Sequence, residues 1–162
     1  MTDNEARLMS AVLEYEEGHR RRTEHILAVY ALSQLLGFRH SLPEDQKRLL
    51  SAAAILHDIA IKTCKEKYGD ACLENQKREL PRLIRRFMEK AGYRGDCIAP
   101  VTYLALNRHG YDSRGGIIMD ILMQADLTVN ALEEGKGDIP CPGIFESSGQ
   151  WLLDICRKAG GK

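Results

Sequence analysis

Excess charge of either sign is missing from this chain: 23 lysines and arginines face 23 aspartates and glutamates in 162 residues. No global field therefore recruits nucleic acid or an anionic membrane. Long apolar runs are missing too, since none approaches the roughly 20 residues that cross a bilayer. The first residues, Met1-Thr2-Asp3-Asn4-Glu5, are polar and acidic, and no secretory apolar segment follows them. Cysteine pattern is equally sparse. The five cysteines (Cys64, Cys72, Cys97, Cys141, Cys156) are odd in number and scattered without a CxxC. That excludes a disulfide framework and a thiolate zinc site, and fits free thiols in a reducing compartment. Strand alternation, a fixed-period repeat and a Pro/Gly/Ser-rich linker do not occur. What remains is 44% hydrophobic residues in a length that suits one core. The expectation is a soluble, cytoplasmic, single-domain all-α protein with about six or seven helices.

Helical periodicity runs through nearly every segment. Leu8, Met9, Val12, Leu13 and Tyr15 give an amphipathic helix over Glu5 to Glu17, and Gly18 breaks it. A broad apolar stripe from Ile26 to Leu36 predicts a helix from Arg20 to Leu36, with Gly37 as its C-terminal cap. Ser41-Leu42-Pro43-Glu44-Asp45 opens a third helix that carries Leu49, Leu50 and an alanine run into His57-Asp58. Lys62 to Cys72, polar and interrupted by Gly69, reads mostly as loop. Helix returns over Leu73 to Ala91, with Pro81 as an internal start or kink, and over Ile98 to Arg108, regular from Pro100. Tyr111 to Gly116 is a loop, Ile117 to Leu132 an apolar helix, and Gly135 to Gly143 a second loop. Trp151, Leu152, Leu153 and Ile155 mark a last helix over Ser147 to Lys158. The domain so drawn spans 1–162, with its core over 20–132 and a C-terminal loop and helix over 135–158.

Within this frame one stretch stands out: Ala52-Ala53-Ala54-Ile55-Leu56-His57-Asp58-Ile59-Ala60. Its small apolar residues promise close packing and deliver an imidazole and a carboxylate together to a buried place. A buried ionised carboxylate is costly unless paired, hydrogen-bonded or bound to a cation. A satisfied core histidine beside an aspartate that punctuates a helix is the plainer alternative. His25 shares a helix face with Arg22, three residues earlier, amid core residues such as Ile26 and Val29. Asp126 lies in Ile121-Leu122-Met123-Gln124-Ala125-Asp126-Leu127-Thr128-Val129, a run otherwise free of charge. It is either an N-cap between two shorter helices or a second buried carboxylate in need of a cation. Two imidazoles and two carboxylates make a plausible shell for Mn, Fe, Co, Ni or Zn. Without thiolate and with open positions, such a shell suits catalysis better than structure.

The order His25, His57-Asp58, Asp126 on a helical scaffold resembles the HD-domain superfamily of metal-dependent phosphohydrolases, particularly its small single-domain bacterial members. Arg22-Thr23-Glu24-His25-Ile26-Leu27-Ala28-Val29-Tyr30 resembles the family's first-histidine helix. Ala54-Ile55-Leu56-His57-Asp58-Ile59 resembles its signature, and Met123-Gln124-Ala125-Asp126-Leu127 its closing aspartate. The resemblance spans nearly the whole chain and implies an HD-type domain with His25, His57, Asp58 and Asp126 as metal ligands. It departs at Ala60, where glycine is usual, and at Asn107-Arg108-His109, where relatives carry a histidine cluster. A second metal generally needs two further histidines between the HD pair and the last aspartate, and only His109 lies there. One divalent transition metal is expected and a second is not, unless Glu74 or Glu79 substitutes.

These features predict an enzyme that cleaves a phosphate ester of a small molecule, a nucleotide being the favoured class, with a metal-activated water. Asp58 is expected to help orient the nucleophile. Arg22 and Lys62, with Arg114, are candidates for holding the phosphate, against the alternative of solvated surface charges. The clusters His19-Arg20-Arg21-Arg22 and Arg82-Arg85-Arg86 lack interleaved aromatics, so nucleic acid is not an expected partner, nor is a membrane. The glycine pairs Gly115-Gly116 and Gly160-Gly161 lack a P-loop setting, and no serine elbow or Cys-His signature appears. The rival function is a non-catalytic HD module that binds a nucleotide or a protein partner. A di-iron oxygenase, which needs six ligands, ranks last. Exposed helix faces allow a homodimer.

Overall fold

A computed structural model describes residues 1–108 and 116–135. It contains seven helices among those residues: α1 (Asp3–Tyr15), α2 (Arg20–Arg39), α3 (Glu44–Leu56), α4 (Ala60–Tyr68), α5 (Leu73–Lys90), α6 (Gly95–Asn107) and α7 (Gly116–Glu133). No strand occurs among the described residues, and the all-α expectation holds. No described helix is long and apolar enough to cross a membrane. The expected final helix over 147–158 and the loop over 135–143 lie outside the described residues, apart from Gly135.

α3 is the axis of the bundle. Ser51 through Leu56 are all fully buried, because α1, α2, α6 and α7 pack around this one short helix. Only a run of alanines lets four neighbours approach so closely, while Leu50, Ile55 and Leu56 supply the bulk. Each such leucine or isoleucine contributes about 1.5–3 kcal/mol by leaving water. α2 and α7 also pack on one another. The three helices that carry the candidate ligands therefore form one contiguous block.

Several boundaries differ from those expected. Gly37 does not end α2; the helix runs on to Arg39, and the left-handed closing residue is Ser41 (φ 51°). The Leu42 amide then donates to the Gly37 carbonyl at 3.0 Å, a Schellman-type closure that the sequence assigned to the wrong residue. Gly37 instead faces α3, where an added Cβ would stand 3.2 Å from Leu50 Cδ2. The stretch after the HD pair, expected to be loop, is mostly α4. Its buried Ala60 and Cys64 share one face, and Gly69 (φ 83°) caps it only at its end. Pro81 and Pro100 both sit inside continuous helices.

Candidate metal centre

Each side chain reaches the centre for a local reason. His25 lies on the inward face of α2 beside buried Ile26 and Val29. His57 follows the last residue of α3, and its Nδ1–H donates back to the Ala54 carbonyl at 2.7 Å. That bond fixes the tautomer and turns the Nε2 lone pair outward. Asp58 comes next in the short turn before α4. Asp126 stands in the middle of α7, which runs unbroken through it, so the N-cap alternative is excluded.

The four groups converge. His25 Nε2 lies 3.2 Å from His57 Nε2, 3.2 Å from Asp126 Oδ1 and 3.9 Å from Asp58 Oδ2. His57 Nε2 lies 3.6 Å from Asp58 Oδ2 and 3.9 Å from Asp126 Oδ1. His25 Nδ1 is 2.8 Å from Glu133 Oε1, so its Nδ1–H is committed to that carboxylate. Two imidazole lone pairs and two carboxylate oxygens therefore face a common space that needs positive charge. His25, His57 and Asp58 offer one ligand atom each, all within 4.8 Å of one another, and this group could hold a metal ion. The donors, imidazole and carboxylate without thiolate, suit a borderline-hard divalent ion. Asp126 lies against the histidine side and shares its Oδ1 with Asn130 Nδ2, which donates to it at 2.8 Å.

Electrostatics follow the same geometry. Burial disfavours a charged His25, but its contacts with Asp126 and Glu133 and the charge of Asp58 outweigh that and raise its pKa to about 9. Burial likewise opposes an ionised Asp126, yet the bond to His25 and the charges of His57 and Arg108 hold it well below the usual carboxylate range. A proton on His25 and a divalent ion compete for one lone pair.

Three participants were not evident in the sequence. Arg108, buried at the end of α6, donates from Nη1 to the Ala105 carbonyl at 2.9 Å and from Nη2 to Asp58 Oδ1. Its Nε stands 3.7 Å from Asp126 Oδ2. Glu133 orients His25, and Asn130 orients Asp126. An arginine ending an otherwise apolar helix was the one available signal for Arg108. Asn130 stands four residues after Asp126, a spacing that sequence alone does not separate from any polar pair on a helix.

A cavity of about 480 Å³ opens beside His25 and Asp58, with Arg20, Arg22, Lys65 and Glu133 in its wall. Arg22 Nε donates to Glu16 Oε2 at 2.7 Å, while its Nη2 is buried with no hydrogen-bond partner among the described residues. Lys62 is placed elsewhere: its Nζ donates to the Tyr15 carbonyl at 2.5 Å and lies over the Tyr15 ring. Lys65, three residues further along α4, lines the cavity instead. Glu79 is bound to Lys67, Tyr68 and Arg82, and Glu74 to Arg78, so neither joins the centre. His109 and Arg114 lie outside the described residues.

Comparison with known proteins adds no further constraint: no family model, curated protein or solved structure matches the chain.

Proposed function

We propose that the protein is a metal-dependent phosphohydrolase of the HD type, in which His25, His57, Asp58 and Asp126 hold one divalent ion. The carrying observation is the convergence of two Nε2 lone pairs on Asp58 Oδ2 and Asp126 Oδ1, at separations of 3.2–3.9 Å. Bound there, the ion supplies Lewis acidity toward a phosphoryl oxygen and lowers the pKa of a water. Asp58, which lines the cavity, would accept a hydrogen bond from the attacking water and orient it. Arg22 and Lys65, both in the wall of that cavity, offset the charge on the phosphoryl oxygens. A volume of about 480 Å³ suits a small phosphate ester, with a nucleotide as the favoured class.

The test is metal content by elemental analysis of the purified protein beside a His57→Ala variant, followed by phosphate release from a panel of phosphomonoesters and nucleotides. About one equivalent of transition metal, lost in the variant, is the expected result. No metal after reconstitution would remove the reading. Turnover that persists in the metal-free variant would remove it as well.

One observation favours the second reading, a non-catalytic module that binds a nucleotide or partner: Arg108 already occupies Asp58 Oδ1. Thermal stabilisation by nucleotides without phosphate release under any of the five metals would decide for it.

A further inference from the structure

Asp58 and Asp126 each divide their two oxygens between two places. Asp58 Oδ2 and Asp126 Oδ1 face the histidines, while Asp58 Oδ1 and Asp126 Oδ2 face Arg108. The pair of aspartates thus spans two adjacent cation positions, and only the one on the histidine side is lined by nitrogen lone pairs. We infer that Arg108 is a built-in cation that fills the second position, limiting the centre to one divalent ion and loosening its grip on that ion.

The guanidinium is suited to this. It is buried, with 6% of the residue exposed, and anchored to its own helix by the bond to the Ala105 carbonyl. An arginine keeps its charge in such a place. It also takes part of the charge and one oxygen of Asp58 that a metal would otherwise command. A fixed positive charge next to a divalent ion in a poorly screened setting weakens binding of that ion. In return it compensates the two buried aspartates when no metal is bound, which preserves the fold of the metal-free protein.

This inference rests on the metal reading but not on hydrolysis, and its test reads metal binding rather than turnover. Mn²⁺ would be titrated calorimetrically into metal-free wild type, Arg108→Gln and Arg108→Lys at constant pH, with melting followed in EDTA and in Mn²⁺. Wild type is expected to bind one equivalent. Arg108→Gln, which drops the charge but keeps a polar side chain, should bind Mn²⁺ at least about tenfold more tightly. It should melt lower than wild type in EDTA and gain more from Mn²⁺. Arg108→Lys, which keeps the charge, should stay close to wild type in affinity. Two equivalents in wild type would overturn the inference whatever the variants do. Unchanged or weaker binding by Arg108→Gln would overturn it too, while one equivalent in wild type left the metal reading standing. If no protein of the series bound Mn²⁺, the metal reading would fall and this inference with it.

Discussion

Glu79 and Asp126 are both buried carboxylates on long helices, yet their surroundings are opposite in kind. Glu79 Oε1 accepts from Lys67 Nζ at 2.6 Å and Tyr68 Oη at 2.7 Å, and Oε2 accepts from Arg82 Nη2 at 3.0 Å. Donors surround the acceptor on every side, and the cluster ties α4 to α5 with nothing left over. At Asp126, Asn130 donates to Oδ1 and Arg108 stands beside Oδ2, but Oδ1 also meets two imidazole Nε2 atoms whose Nδ1 protons are engaged elsewhere. Burial of a charge is common to both. A surplus of acceptors belongs to one, and that surplus, not burial, is what lets a place hold a proton or a metal ion.

Three experiments press on this contrast. The largest effect is expected from Glu79→Ala, which strands Tyr68 and releases Lys67 and Arg82. It should destabilise the fold by about 1–3 kcal/mol in urea unfolding while leaving Mn²⁺ affinity unchanged. A loss of metal binding there would show that the two clusters are not independent. Asn130→Ala should do the reverse: melting in EDTA nearly unchanged, but Mn²⁺ affinity down by about tenfold as Asp126 loses its orienting partner.

The graded effect is that of pH, and the two clusters should respond at opposite ends of the scale. The His25 pKa is raised from 6.5 to about 9, so the stability it contributes is full below 6.5 and lost as pH rises through about 9. The Glu79 pKa is lowered from 4.5 to about 2, mainly by the Lys67 and Tyr68 bonds, so its contribution is full above 4.5 and lost as pH falls toward 2. Melting of metal-free protein across both ranges, repeated with saturating Mn²⁺, should show the alkaline decline only without metal. Mn²⁺ affinity itself should climb with pH up to about 9 as the His25 proton leaves. An affinity flat from pH 6.5 to 9 would place that proton elsewhere.

The parts legible in the sequence were those written in periodicity and in local composition. The alanine run predicted a close-packed α3, and it is the axis of the bundle. His57, Asp58 and Asp126 were visible as polar residues in apolar stretches, and His25 by the helix face it shares with Arg22 and its place in the order His, His-Asp, Asp; the four do meet. What stayed hidden depended on three-dimensional partners. α4 looked like loop because its polar face dominates nine residues, and only the fold reveals that Ala60 and Cys64 are buried. Lys62 and Lys65 differ by less than one turn, and no local rule says which of them faces the cavity rather than Tyr15. Arg108 was noted as the replacement of a histidine, not as a charge that reaches Asp58 from another helix.

The turn that carries the HD pair has a wider consequence. His57 (φ −56°, ψ −34°) and Ile59 (φ −57°, ψ −23°) keep helix-like backbone angles, with no glycine and no strained residue between α3 and α4. The peptide chain there makes no demand that any particular side chain must answer. What constrains positions 57 and 58 is therefore the partner each side chain holds, the Ala54 carbonyl for His57 and Arg108 for Asp58, and not the backbone. A thiolate at one of them would shift the preference toward softer ions. Where those partners are kept, replacing a side chain at 57 or 58 changes the donor set without asking anything new of the backbone.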